Sequence, residues 1–168
     1  MTLNHCIVRL ETEGDWKEVE NLTREAFWNK YRPGCSEHYI LHQFRHRPDF
    51  VKALDYLIEV NGKIVAHIMY CRSEIAADNG QIVPVMTFGP VSVLPEYQGR
   101  GYGSKLIRFT LEKARELGCG AIAITGSPDY YHRFGFVSGH SLHIDYADAD
   151  HDEEAPFFMV KELQTNYL

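Results

Sequence analysis

At 168 residues, with 45% hydrophobic and 24% charged side chains, the chain has the composition of a soluble globular protein and the length for one domain with a real core. A formal net charge of −6 argues against general affinity for nucleic acid or anionic membranes, and no apolar run reaches the length of a membrane span. Cys6, Cys35, Cys71 and Cys119 lie far apart without a CxxC pair and read as reduced thiols, with disulfides the alternative. Together with a start that lacks a basic-then-apolar leader, they give cytoplasmic as the expected location.

In chain order, "CIVRLET" alternates well enough for a first strand. From Asp15 as N-cap, "WKEVENLTREAFWNKY" puts Trp16, Val19, Leu22 and Ala26 on one helical stripe, which Pro33-Gly34 ends. Ser36 can cap a second, short helix, "EHYILHQFRH", closed by Pro48. The period then changes. "ALDYLIEV" and "KIVAHIMYCRSEI" read as strands joined by Asn61-Gly62, a strong signal for a type I′ hairpin. Asp78-Asn79-Gly80 marks a further turn before "QIVPVMTFGPVSVL", so an antiparallel meander occupies the middle of the chain.

A long amphipathic helix follows, with Leu106, Ile107, Thr110, Leu111, Ala114 and Leu117 at helical spacing and Gly118 as its C′ residue. "GAIAITG" is short and uniformly apolar, as expected of a buried strand parallel to the one before the helix. "SPDYYHRFGF" predicts a short helix and a turn, and "SLHIDY" and "APFFMVKEL" predict two more strands. The order implies a mixed α/β (α+β) fold: a mostly antiparallel twisted sheet, one βαβ crossover, and helices on both faces. No repeat, low-complexity tract or linker divides residues 1–168, so a single domain is expected.

Two features stand out in the middle of this order. Gly89-Pro90 weakens a strand, since proline cannot donate to a ladder and glycine favours a bulge. Soon after, "QGRGYGS" places Gly99, Gly101 and Gly103 at the mouth of the long helix, with Arg100 among them and Ser104 able to cap or donate. The first N–H groups of a helix have no internal acceptor, and the helix dipole places partial positive charge there. Glycines let the backbone curl so that several N–H groups meet one phosphate. A tight turn needs only one glycine. From Glu96 to Gly118 there are also five basic residues against three acidic ones, inside an acidic protein. The loop fails the Walker pattern, because Ser104 stands where GxxxxGK[ST] needs glycine, and it narrowly misses GxGxxG.

Gln98-x-x-Gly101-x-Gly103, between a strand and an amphipathic helix, resembles the pyrophosphate-binding motif of the GNAT superfamily of acetyl-CoA-dependent N-acetyltransferases. Tyr131, four residues before Gly135-Phe136, looks like that family's second motif, Y-x-x-x-G-F, and the predicted element order from Leu3 to Leu163 is similar throughout. The resemblance implies a GNAT-like sheet whose parallel strand pair splays to admit the pantetheine arm. Val91, Ser92 and Val93 would line that arm, with backbone groups of Val91 and Val93 in contact. Gln98, Gly99, Arg100, Gly101, Tyr102, Gly103 and Ser104 would hold the phosphates. Acetyl-CoA is the implied cosubstrate, and the implied acceptor is an amine of a small molecule or a protein. Tyr131 is the implied general acid, a phenol suited to protonating the leaving thiolate, with Tyr130 beside it as the alternative.

The base is open among His67, Glu74 and Asp129. A reactive α-amine could manage through water, whereas an alkyl amine would want a carboxylate. His38, His42 and His46 share one helical face, but nothing completes a ligand set, so no metal is expected. Residues 145–154 carry six acidic side chains and read as a solvated loop that could attract a cationic acceptor. The acceptor region should lie in residues 27–50 and the last third of the chain, and the final strands are compatible with a homodimer. The rival reading is a non-catalytic acyl-CoA-binding or sensor domain.

Overall fold

The computed structural model describes residues 5–150 and 153–168. Leu3, where the expected resemblance begins, and Asp152 in the acidic run lie outside the described residues. The elements are β1 (Cys6–Leu10), α1 (Trp16–Phe27), α2 (Glu37–Phe44), β2 (Tyr56–Val60), β3 (Lys63–Ala76) and β4 (Ile82–Val93). They continue with α3 (Tyr102–Glu116), β5 (Ala121–Thr125), α4 (Pro128–Tyr131), β6 (Val137–Ser138) and β7 (Phe158–Glu162). The strands are ordered β1-β2-β3-β4-β5-β7-β6, a mixed α/β arrangement that is antiparallel except for β4 with β5, where Met86 lies opposite Ile122. The expected meander and βαβ crossover are both present. No described helix is long and apolar enough to cross a membrane.

The chain forms two compact units, residues 1–71 with 89–113, and residues 72–88 with 114–168. In the first, β2 and β3 make the expected hairpin, with Asn61 at φ 49° and Gly62 at φ 82°, the double positive φ of a type I′ turn. Ile64 to Cys71 are all buried, so this half of β3 lacks the alternation of a half-solvated strand. Val19, Leu22, Thr23 and Ala26 form the buried stripe of α1. Asp15 stands at the N-cap position of that helix, as expected, but its side chain makes no cap bond. Its carboxylate instead accepts from the backbone N–H and hydroxyl of Thr12 (2.8 and 2.9 Å) and from Arg9 (2.8 Å). The Arg9 bonds hold Asp15 well below the usual carboxylate range, against the effect of burial. The helix also ends at Phe27 rather than Tyr31, because Asn29 turns left-handed (φ 55°) and its side chain accepts from Gly34 N–H at 2.7 Å. Ser36 precedes α2, yet its hydroxyl meets the Arg32 guanidinium instead of a helix N–H. α2 stops at Phe44, well before Pro48.

In the second unit, β5 pairs with β7 over five positions, from Ala121–Glu162 to Thr125–Phe158. The predicted "SLHIDY" strand is absent. Ser141 Oγ bonds back to Ser138 O (2.6 Å), His143 takes φ 58°, and Ile144 N–H returns to Gly139 O (2.9 Å), so the segment coils into a 3₁₀ turn. The neighbouring Val137–Ser138 pairs with β7 in its place. α3 closes as expected, with Gly118 at φ 85° and its N–H on Arg115 O at 2.9 Å.

Candidate functional site

The glycine mouth lies in the first unit. β4 runs through Gly89 (φ 138°) and a cis Gly89-Pro90 peptide to Val93. A 3₁₀ turn over Pro95–Tyr97 then reverses the chain, closed by Tyr97 N–H on Leu94 O at 2.8 Å. Gly99 (φ 73°) and Gly101 (φ 86°) both need the left-handed region, and a Cβ at either would meet nothing within 4 Å. These two glycines are therefore required by backbone conformation, and the space above them is open. Gly103 belongs to the first turn of α3 instead. The first helical bond there is Lys105 N–H to Gly101 O (2.9 Å), so the N–H groups of Tyr102, Gly103 and Ser104 precede any intrahelical acceptor.

Gln98 braces the loop. Its Nε2 donates to Val93 O at 2.9 Å, tying the loop to the end of β4. The ring of Tyr97 has two cations over it, Arg100 at 5.4 Å and Lys63 at 5.7 Å, and meets Tyr102 edge-on at 5.9 Å. Lys63 also pairs with Glu96 at 3.0 Å. Val91 and Val93 are half-buried. Ser92 between them is fully buried, with its hydroxyl donating to Thr23 of α1 at 3.1 Å. Its side chain faces the core, so only its backbone is left to meet a ligand.

Tyr131 ends α4 in the second unit, half-buried in an aromatic cluster with Tyr130 (5.0 Å), Phe88 (6.0 Å), Phe136 (6.0 Å) and Phe134 (6.2 Å). A Cβ on Gly126 would strike the Tyr131 ring at 2.5 Å, so the glycine leaves room for it. Gly135 (φ 86°) turns the chain so that Phe136 is buried, which is the physical content of the Y-x-x-x-G-F spacing. Tyr130 lies under the Arg133 guanidinium at 4.5 Å.

Of the three expected bases, Glu74 and Asp129 are exposed, and His67 is wholly buried in the first unit. His67 belongs to a group that sequence spacing did not reveal. Its Nε2 lies 2.5 Å from Asp55 Oδ1 and 3.7 Å from Glu11 Oε2, and Glu11 Oε1 accepts from Arg45 Nη2 at 2.5 Å. Arg45 Nη1 reaches Glu20 at 2.6 Å, and its guanidinium stacks on Trp16 at 5.1 Å. Burial would hold Glu11 neutral, but bonds from His67, Asp55 and Arg45 draw it down to about 2. Burial pushes Asp55 up to about 6 despite His67. Burial opposes a charged His67, but the bonds to Asp55 and Glu11 outweigh it and raise the imidazole to about 8. His67 Nδ1 has no hydrogen-bond partner among the described residues. Glu11, Asp55 and His67 offer three convergent ligand atoms, but Arg45 already supplies the cation. The available signal was a polar His67 inside an otherwise apolar strand.

His38 and His42 lie on α2 and His46 just beyond it. His42 contacts Glu20 at 2.8 Å and meets His46 edge-on at 5.7 Å, His46 also stands edge-on to Trp16 at 5.8 Å, and His38 lies 3.4 Å from Cys35 Sγ. In the acidic run, Asp145, Asp148, Asp150, Glu153 and Glu154 are exposed, and Tyr146 anchors the loop on Phe157 and Phe158.

Residues 7–138 match the acetyltransferase (GNAT) domain family. The chain is 31% identical over 138 residues to the uncharacterized N-acetyltransferase YjhQ of Escherichia coli K12, covering 81% of this chain and 72% of that protein. Among solved structures, it resembles a GNAT family acetyltransferase from Brucella melitensis in complex with acetyl-CoA. That match has a TM-score of 0.73 and 29% identity, over 94% of this chain and 88% of the other. The fold also matches the GNAT family N-acetyltransferase YhbS of Escherichia coli in complex with CoA, with a TM-score of 0.81 and 19% identity, over 99% and 86% of the two chains.

Proposed function

Since the chain belongs to the GNAT acetyltransferase family, we propose that it binds acetyl-CoA at the glycine mouth and transfers the acetyl group directly to a primary amine of a small molecule or protein. The observation that carries this reading is the loop itself. Left-handed Gly99 and Gly101 lead straight into helix N–H groups that lack internal acceptors, under space that any side chain would fill. Pyrophosphate suits such a cradle, because aligned N–H groups and the helix dipole favour an anion. Arg100, over the Tyr97 ring, adds positive charge. The acetyl-CoA complex of the Brucella relative supports the same choice of ligand.

Acetyl-CoA supplies an acetyl thioester, and the chain's own residues do the rest. Tyr102, Gly103 and Ser104 N–H hold phosphate oxygens, and Gln98 fixes the loop against β4. The acceptor amine attacks the carbonyl carbon, the C–S bond breaks, and the Tyr131 phenol returns a proton to the thiolate. His67, buried and committed to Asp55, is excluded as the direct base by its burial. A water chain leading to Glu74 or Asp129 remains the route for the amine's proton.

Tyr131→Phe tests the assignment. The ring cluster keeps its packing, so the melting temperature should hold, while amine-dependent thiol release falls about 10²- to 10⁴-fold. Unchanged turnover and an unchanged pH profile would remove Tyr131 from the acid role. Binding of acetyl-CoA with no thiol release across a panel of amines would instead favour a non-catalytic binder.

A further inference from the structure

We propose that Cys6 and Lys105 form an acyl relay, so that the protein acetylates its own Lys105 through a thioester on Cys6. Lys105 Nζ lies 3.5 Å from Cys6 Sγ, although the residues are 99 positions apart. Both backbones are held. Cys6 opens β1 opposite Val60, and the adjacent His5 exchanges two 3.0 Å bonds with Asn61 of the hairpin. Lys105 N–H makes the first helical bond of α3, to Gly101 O. Cys6 is half-buried and Lys105 exposed, so a thioester donor can reach the sulfur from solvent. By contrast, Cys71 and Cys119 are buried, and Cys35 is engaged with Arg24 O and His38.

The chemistry is two acyl exchanges. The Cys6 thiolate attacks the carbonyl carbon of an acetyl thioester; a new C–Sγ bond forms, the donor's C–S bond breaks, and the donor thiolate leaves. The neutral Lys105 amine then attacks that same carbon. A C–N bond forms, the C–Sγ bond breaks, and Cys6 leaves as thiolate and takes up a proton from the amine. The products are N-acetyl-Lys105, free Cys6 and the donor thiol, and no oxidant or reductant is needed. An acetyl carbon on Sγ is one C–S bond from an atom 3.5 Å from the amine, so rotation about the Cβ–Sγ bond brings it to the near-attack range of about 3–3.5 Å that converts a bimolecular step into an intramolecular one. The modification removes a positive charge from the first turn of α3. The physiological donor rests on the acetyl-CoA reading above, whereas the transfer itself rests on Cys6 and Lys105 alone.

The test therefore uses a small donor without a nucleotide, S-acetyl-N-acetylcysteamine, on the full chain at mildly alkaline pH, with site-resolved acetylation rates read by peptide mass spectrometry. Lys105 should be acetylated at least about tenfold faster than the exposed Lys17 and Lys52. Cys6→Ser should bring Lys105 down to their rate, and Lys105→Arg should leave a hydroxylamine-labile acetyl group on Cys6. Circular dichroism of both variants confirms folding. A Lys105 rate equal to that of Lys17 and Lys52, or one unchanged by Cys6→Ser, overturns the relay. Because the donor carries no phosphate, failure here leaves acetyl-CoA binding untouched, and failure of acetyl-CoA binding leaves this result untouched.

Discussion

Two polar regions of the first unit solve opposite problems. The glycine mouth displays backbone N–H groups to open space and uses side chains sparingly, with Gln98 bonded to Val93 O and Arg100 over Tyr97. The Glu11–Arg45–Asp55–His67 group does the reverse: it buries four ionisable side chains and satisfies them mainly against one another. On the proposed reading, a region that is to receive a ligand keeps its donors uncommitted. A region that joins elements together uses them internally. Removing one member should therefore damage folding in the buried group and ligand binding in the mouth.

The largest expected effect separates the two directly. Glu11→Ala leaves the Arg45 guanidinium, only 1% exposed, without its buried partner. It should cost about 3–5 kcal/mol of folding stability by urea denaturation. A cost near zero would mean that the group is not the fastener described here.

Next in size is the pH dependence of that group. His67 is raised from 6.5 to about 8, so its contribution is complete below pH 6.5 and is lost as pH rises through 8, on the order of 2 kcal/mol. Asp55, raised from 3.8 to about 6, likewise favours the fold at low pH and loses that contribution as pH rises through 6. Glu11, lowered from 4.5 to about 2, contributes above 4.5 and is lost as pH falls towards 2. Chemical denaturation from pH 5 to 9 should show stability falling on the alkaline side. His67→Gln should flatten the fall between pH 6.5 and 8, and an unaltered slope in that variant would place the titration elsewhere.

The smallest stability effect belongs to the mouth. Gly101→Ala puts a Cβ on a residue at φ 86° with no neighbour to strike, so only backbone strain of about 1 kcal/mol is expected in the fold. The same Cβ occupies the open space, and acetyl-CoA affinity should fall on the order of tenfold or more, since each 1.4 kcal/mol of lost contact is a factor of ten. A variant that loses stability but keeps its affinity would show that Gly101 serves the turn and not a ligand.

How far the sequence could be read follows the same division. The mouth and the Tyr131 turn were legible because their physics is local: a left-handed φ demands glycine at 99, 101 and 135 within a few residues of the groups it positions. The Asn61-Gly62 hairpin was legible for the same reason. Glu11, Arg45, Asp55 and His67 come from three strand-side segments and the residue that follows α2, and no spacing announces that they meet. The missed strand at "SLHIDY" has a similar origin. Its alternation is real, but Ser141 and His143 turn the chain, and β7 pairs with Val137–Ser138. Asp15 and Ser36 had the right chemistry for helix caps, yet Arg9 and Arg32 engage them from outside the helices. Ser92 fell within the expected cofactor-lining stretch, and only its bond to Thr23 reveals which way it faces.

The most direct test of the central claim is calorimetric titration of the folded protein with acetyl-CoA, with ATP and NAD as controls. Selective binding at about micromolar Kd, abolished or strongly weakened in Gly101→Ala, is the predicted result. No heat with acetyl-CoA from protein shown to be folded would contradict it, and would leave the glycines as a turn.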